Sequence, residues 1–170
     1  MKPVRTKPEN LLNKAIACRE KRRFRRAFVL FLRGARQGDA VCMTEVANMY
    51  DDEQGVLPSE DNLDRARAWY RRAIAAGDRI ALYNLGVSYR RTGDMLAAKG
   101  CFEQALGAGD TEAALDLAKM YMICPNHEET VSAYLKVLLA DENAIPSCRE
   151  EAATLLRALE AQADQRVKIA

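Results

Sequence analysis

The sequence has little of what enzymes, metal proteins and β-rich proteins commonly use. Its 170 residues include a single histidine, His127, together with nine glycines and five prolines. Turns in β-rich folds draw heavily on glycine and proline, so their scarcity disfavours that class. The longest uninterrupted apolar run, 27–32, has six residues, whereas a membrane-spanning helix needs about 20. The chain is therefore predicted not to cross a membrane.

The cysteines also lack the arrangement of a disulfide framework. Their number is odd, and none of them has C-x-x-C spacing: Cys18, Cys42, Cys101, Cys124 and Cys148. We interpret them as buried, reduced thiols. No apolar segment typical of a secretory signal follows the N-terminus. Both observations favour a cytoplasmic location.

Charge is unevenly distributed along the chain. The net charge is only +2, but residues 1–36 carry +10 and residues 37–170 carry −8. The basic run 19–26 could bind phosphates, with Phe24 stacking on a base. Alternatively, Phe24, Phe28 and Phe31 belong to the core, and the arginines form a solvated edge that faces a protein partner or a second copy. We favour the second interpretation. Binding of a nucleic acid by this run is therefore disfavoured, and binding to a membrane surface is disfavoured more strongly.

Self-similarity is the strongest signal in the sequence. Gly-Asp dipeptides at 38–39, 77–78 and 109–110 recur at intervals of 39 and 32 residues. Each dipeptide follows a segment that has an aromatic residue seven positions before the glycine, and a fourth such segment precedes Asp141. The four aromatic residues are Phe31, Tyr70, Phe102 and Tyr134. A period of this length is typical of helical-repeat proteins.

Both halves of each repeat have the apolar period of a helix. The pattern predicts helix pairs at 8–22/24–37, 39–52/60–76, 78–91/94–108 and 110–123/127–140, followed by a helix at 147–164. The aspartates of the three Gly-Asp dipeptides are predicted N-caps. We expect one helical-repeat domain over 1–170, with a basic pair at 8–37, repeats at 38–76, 77–108 and 109–140, and a capping helix at 147–164.

The same periodicity predicts which side chains pack between the helices. Small residues are expected to allow close helix approach: Ala66, Ala73, Ala81, Gly86 and Ala118. Larger side chains are expected to fill the space between the helices, with Trp69 in the core: Trp69, Tyr70, Leu85 and Tyr89. In the last helix, the predicted apolar stripe is formed by Ala152, Leu155, Leu156 and Leu159.

No residue pattern predicts catalysis. Cys124 and His127 have C-x-x-H spacing, but a metal site needs two further ligands and a Cys-His dyad needs an orienting group. We interpret 124–127 as a turn between helices. Phosphate-loop, dinucleotide-binding and zinc-protease motifs are absent. We therefore predict no enzymatic activity, no cofactor and no metal.

Residues Gly55 to Gly93 carry a longer pattern. It reads Gly55-Val56, then Arg65-Ala66-x-x-Trp69-Tyr70-x-x-Ala73-x-x-x-Gly77, then Ala81-x-x-Asn84-Leu85-Gly86-x-x-Tyr89-x-x-x-Gly93. This resembles the Sel-like repeat family, a relative of the tetratricopeptide repeats, and the resemblance extends over about 24–140. It implies an all-α fold: a right-handed α-solenoid of about four antiparallel helix pairs plus a C-terminal capping helix, which works by binding other proteins.

The resemblance also implies where a partner binds. In tetratricopeptide-like solenoids the first helix of each pair lines the concave surface. Side chains there that packing does not use are the predicted partner-binding residues: Val41, Glu45, Asn48, Asp51, Tyr83, Asn84, Val87, Arg90, Glu112, Asp116 and Lys119. This groove is acidic, with apolar Val41, Ile80 and Val87, and suits a basic, partly apolar polypeptide.

Taken together, these features favour a protein–protein interaction module, an adaptor or scaffold, with a basic protein partner. One alternative is an immunity protein that neutralises a bacterial toxin by masking its basic cleft. Another is a secretion chaperone that holds a partly unfolded segment in the groove. A nucleic-acid-binding helical repeat acting through the basic end is the least favoured alternative.

Overall fold

A computed structural model describes the backbone of residues 8–169 and the side chains of residues 11–163. The described chain contains α-helices and no strand: α1 Pro8–Glu20, α2 Phe24–Arg36, α3 Ala40–Asp51, α4 Asn62–Ala75, α5 Ile80–Arg91, α6 Met95–Gly107, α7 Ala113–Met122, α8 Glu128–Ala140 and α9 Pro146–Ile169. All the predicted helices are present. Only the end of α9 differs from its predicted position by more than three residues.

The chain divides into two compact units, Met1–Gly93 with α1 to α5 and Asp94–Ala170 with α6 to α9. In each unit, helices that follow one another in sequence pack against one another. This nearest-neighbour packing is typical of repeat proteins. The boundary between the units falls inside the repeat predicted at 77–108.

The recurring Gly-Asp dipeptides end the second helices α2, α4 and α6. Gly38, for example, has a φ of +91°, which a residue without Cβ adopts at little cost. The backbone N–H of Asp39 then donates to the carbonyl of Gly34 at 3.2 Å. Equivalent bonds join Asp78 to Ala73 and Asp110 to Ala105, both at 3.0 Å. The repeat in the sequence is thus a repeated Schellman C-cap.

The same aspartates are less uniform as N-caps. Asp39 confirms the prediction, since its carboxylate accepts from the N–H of Cys42 at 2.9 Å. Asp78 and Asp110 lie one and two residues before the N-cap positions of α5 and α7, so the prediction holds for them only in part: Asp78 Oδ1 still accepts from the N–H of Ile80 at 3.1 Å. Asp94, in a further Gly-Asp dipeptide, caps α6 by accepting from Ala97 at 3.1 Å.

Small and large side chains alternate in the core of the first unit. Ala66, Ala73, Ala81 and Gly86 are buried as predicted. Phe31 is fully buried, and Phe24 and Phe28 pack against the same cluster. Trp69 also contacts this cluster but is only half-buried. Its predicted place in the core is thus confirmed only in part. The Arg72 guanidinium also lies over the indole, 4.8 Å from the ring centroid.

In the second unit, the core lies between α7, α8 and α9. Leu135 and Leu138 are fully buried, together with Ala118 of α7. The predicted stripe of α9 packs here, with Ala152 buried and its three leucines partly buried: Leu155, Leu156 and Leu159. The stripe is therefore confirmed as the face that α9 turns toward its own unit.

The five cysteines differ in exposure. Cys42 is buried, and burial together with the nearby Asp39 carboxylate raises the pKa of its thiol to about 12. Cys124 is exposed, and the other three are half-buried. The prediction of buried thiols is confirmed for Cys42 and wrong for Cys124, which lies in the turn between α7 and α8.

Candidate protein-interaction surface

Polar side chains join α1, α3 and α5, the first helices of successive pairs in the first unit. Arg19 of α1 forms an ion pair with Glu45 of α3. The Glu45 side chain is only 16% exposed, so its negative charge is largely neutralised by Arg19 within the fold. Its other contact is a long hydrogen bond, 3.5 Å, from the Asn48 side chain.

Asn48 lies between three helices. Its Oδ1 accepts from the Tyr70 hydroxyl of α4 at 2.8 Å and from Nδ2 of Asn84, on α5, at 3.2 Å. Tyr70 is 2% exposed. Burial, followed by the charges of Asp51 and Asp52, raises the pKa of its hydroxyl. The hydroxyl therefore stays protonated and remains a donor.

Asp51, at the end of α3, is bonded to α5. It accepts from the Ser88 hydroxyl at 3.1 Å and forms an ion pair with Arg91. The Arg91 guanidinium also donates to the Asp51 carbonyl at 2.8 Å. Because the Asp51 side chain is 9% exposed, it belongs to the α3–α5 packing more than to the surface.

Four of the predicted binding residues thus hold the first helices together: Glu45, Asn48, Asp51 and Asn84. The sequence prediction treated them as unused by packing. Pairing with Arg19, Ser88 and Arg91 was not predicted, because these partners lie 26, 37 and 40 residues away in sequence. A single sequence gives no signal for such pairs beyond the polar character of each position.

Two apolar side chains on these helices remain open to solvent. Val41 is 47% exposed on α3, and Ile80 is 66% exposed on α5. Each stands two residues after a Gly-Asp aspartate, so they occupy equivalent repeat positions. Tyr83, Val87 and Arg90 of α5 are half-buried. Val41 and Ile80 are therefore the predicted surface positions most exposed to solvent on these two helices.

The last three predicted residues lie in the second unit and also make contacts within it: Glu112, the N-cap residue of α7, and Asp116 and Lys119 within that helix. Glu112 accepts from the backbone N–H of Ile145 at 3.2 Å. Lys119 forms a 2.8 Å ion pair with Glu151 of α9. Asp116 is 5% exposed, so its predicted place on an open groove surface does not match its burial.

An acidic cavity of about 750 Å³ opens where α3 ends in the first unit. Its lining includes Asp52, Glu53 and Glu60, together with the paired Asp51 and Arg91. Burial raises the pKa of Asp52, the Asp51 carboxylate raises it further, and Arg91 offsets part of this.

The buried Asn62 also lines this cavity. Its Nδ2 donates to the Leu57 carbonyl at 2.9 Å, while its Oδ1 accepts no hydrogen bond from the described residues. The cavity therefore has an excess of acceptors over donors, which suits a cationic group.

His127, the single histidine, lies where the predicted turn between α7 and α8 ends. His127 is the N-cap residue of α8, and its ring lies 5.2 Å from the Tyr121 ring. Within the described residues, no group of three or more His, Cys, Asp and Glu side chains is arranged to hold a metal ion. In the same part of the chain, no helix is long and apolar enough to span a bilayer.

Comparison with solved structures shows the fold of Sel1-like repeat proteins. A Sel1 repeat protein from Oxalobacter formigenes matches 76% of this chain with a TM-score of 0.67 and 20% identity. A protective antigen of uropathogenic Escherichia coli strains, which displays an SLR fold, matches 91% with a TM-score of 0.65 and 15% identity. The predicted all-α solenoid class and the Sel-like resemblance are thus confirmed at the level of fold.

The chain spans 55% of the Oxalobacter structure and 38% of the Escherichia coli one, so both similar proteins extend well beyond the matched part. No protein-family model and no curated protein sequence matches the chain.

Proposed function

We propose that the chain is a protein-interaction module, of the adaptor or scaffold kind, that binds a polypeptide on α3 and α5. The observation that carries this proposal is the exposure of Val41 and Ile80 at equivalent positions of successive first helices. An extended or helical segment that lies across both helices buries the two side chains together. The Sel1-like repeat fold supports a binding role.

A cavity at the opposite end of α3 and α5 from Val41 and Ile80 favours a partner that is basic as well as partly apolar. Glu45 and Asp51 contribute little attraction, because each is already ion-paired. The attraction comes instead from the cavity at the end of α3. There, Asp52, Glu53 and Glu60 form no ion pair among the described residues, and the arginine of the lining, Arg91, is paired with Asp51. A lysine or arginine of the partner that enters the cavity relieves the repulsion between these carboxylates.

Selection from a random peptide library on the purified protein tests the proposal. The expected peptides combine apolar residues with lysine or arginine. Their affinity should fall at least about tenfold in a Val41→Ser, Ile80→Ser double variant, since two buried apolar contacts are lost. Calorimetric titration of one synthesised peptide measures the change.

Leu96→Ser provides the matched control, because Leu96 is 84% exposed on α6 in the second unit and belongs neither to α3 and α5 nor to the acidic cavity. This variant should bind the peptide as the parent does. If the peptides prove acidic, or if Leu96→Ser weakens binding more than the double variant, the proposed surface and its partner chemistry are wrong.

A further inference from the structure

The outer face of α2 is an arginine stripe. Its members are exposed and fall within about 100° of the helix circumference: Arg25, Arg26, Val29, Arg33 and Arg36. Val29, at the middle of the stripe, is 62% exposed. None of these arginines is paired with a carboxylate among the described side chains. The stripe is thus an apolar contact point surrounded by unpaired cations.

A groove between α8 and α9, in the second unit, has the opposite character. Its volume is about 430 Å³, and apolar atoms of Ala133, Leu159 and Ala163 line it. Glu129 and Glu160 are exposed along it, whereas Lys136 is its only described basic side chain. The groove therefore combines apolar lining with negative charge.

We propose that the arginine stripe of one copy binds the α8–α9 groove of a second copy. Val29 then covers the alanine and leucine side chains of the groove, and Arg25 and Arg33 meet Glu129 and Glu160. Arginine suits this contact because its planar guanidinium binds carboxylates with two hydrogen bonds. Residues 1–93 carry a net charge of +8 and residues 94–170 a net charge of −6, so the first unit of one copy and the second unit of another attract before contact.

The contact is heterologous, since different surfaces meet. Each pair of copies leaves one stripe and one groove unoccupied, so association continues into short chains as the concentration rises. A second copy fits the stripe better than a nucleic acid does. Phe24 and Phe28 are partly buried against the core and offer no open ring for bases to stack on. In addition, a phosphate backbone has no apolar group that would cover the Val29 side chain.

Sedimentation equilibrium of the full chain, after nuclease treatment, tests the proposal. At about 50 mM salt the weight-average mass should rise with protein concentration, and at about 500 mM it should fall to that of one chain. The variants Arg25→Gln/Arg33→Gln and Glu129→Gln/Glu160→Gln should each remain monomeric. Mixed together, they should form a one-to-one complex and nothing larger, because one intact stripe meets one intact groove.

The control variant Arg65→Gln/Arg71→Gln removes the same charge from α4 and should associate as the parent does. Circular dichroism is expected to show unchanged helicity in all the variants, since every substituted residue is exposed. A parent that stays monomeric at low salt overturns the proposal. So does association that persists in the groove variant, or association that disappears on nuclease treatment, which would assign the stripe to nucleic acid.

Discussion

Asn48 illustrates what a single side chain contributes to this fold. It receives hydrogen bonds from Tyr70 and Asn84 and thereby connects α3 with both α4 and α5. The sequence predicted its helix correctly, but the repeat position alone did not reveal that its side-chain oxygen already accepts two hydrogen bonds. A polar residue on a first helix looks the same in sequence whether it binds a partner or a neighbouring repeat.

Tyr70→Phe removes one of these bonds without opening a cavity. The free energy of unfolding should fall by about 1 kcal/mol, the usual net contribution of a hydrogen bond. Urea denaturation measures the change. If the variant is as stable as the parent, the Tyr70 hydroxyl does not donate to Asn48 in solution.

Trp69 and Phe31 belong to the same cluster but differ in exposure. Phe31→Ala should cost about 4 kcal/mol, because a fully buried ring leaves a cavity. Trp69→Ala should cost about 2 kcal/mol, since the half-exposed indole is already partly hydrated. Equal losses in urea denaturation would contradict the half-buried position of Trp69.

Asp110 makes stability depend on pH. Burial, and then the neighbouring Glu112, raises the pKa of this carboxyl to about 6. Its pKa is higher in the folded chain than in the unfolded one, so the folded state binds the proton more tightly and this contribution is lost as pH rises. Asp110→Asn should therefore stabilise the protein by about 1 kcal/mol at pH 7, with no gain near pH 4. Thermal denaturation across this range checks the sign, and a gain largest at pH 4 would refute it.

At the scale of the element, helix packing is set by small residues at particular crossings. Gly34 of α2 faces Cys42 of α3 so closely that a Cβ would overlap the sulfur. Gly100 of α6 has no atom near its added Cβ. Gly34→Ala should destabilise the chain by about 2 kcal/mol, whereas Gly100→Ala should stabilise it by about 0.5–1 kcal/mol through helix propensity. Denaturation curves that shift in the same direction would contradict this description of the α2–α3 crossing.

Helices were the most predictable feature, because the apolar period and the residues that cap or end a helix act within a few positions along the chain. Asp39 shows where local rules suffice, because the cap bond closes within three residues. Asp78 shows where they fail. Its Oδ2 accepts from the Thr44 hydroxyl at 2.5 Å, 34 residues away, and α5 begins after it. Contacts between repeats depend on how successive helices pack, which no local pattern encodes.

At the scale of the whole molecule, the unequal charge of the chain has a structural counterpart. The basic excess seen in residues 1–36 is present on α2 as exposed arginines without acidic partners among the described residues. The acidic groove predicted from α3, α5 and α7 is only partly acidic in the first unit, because its carboxylates at positions 45 and 51 are neutralised by arginines. Sequence alone reports charges but not their pairing.

Binding of a polypeptide across α3 and α5 is the central claim, and amide hydrogen exchange with and without a selected peptide tests it most directly. The account predicts that bound peptide slows exchange in 40–51 and 80–91, and in 52–61 beside the acidic cavity, with α8 and α9 unchanged. Slower exchange confined to α2 and α4, or to the second unit, would contradict it.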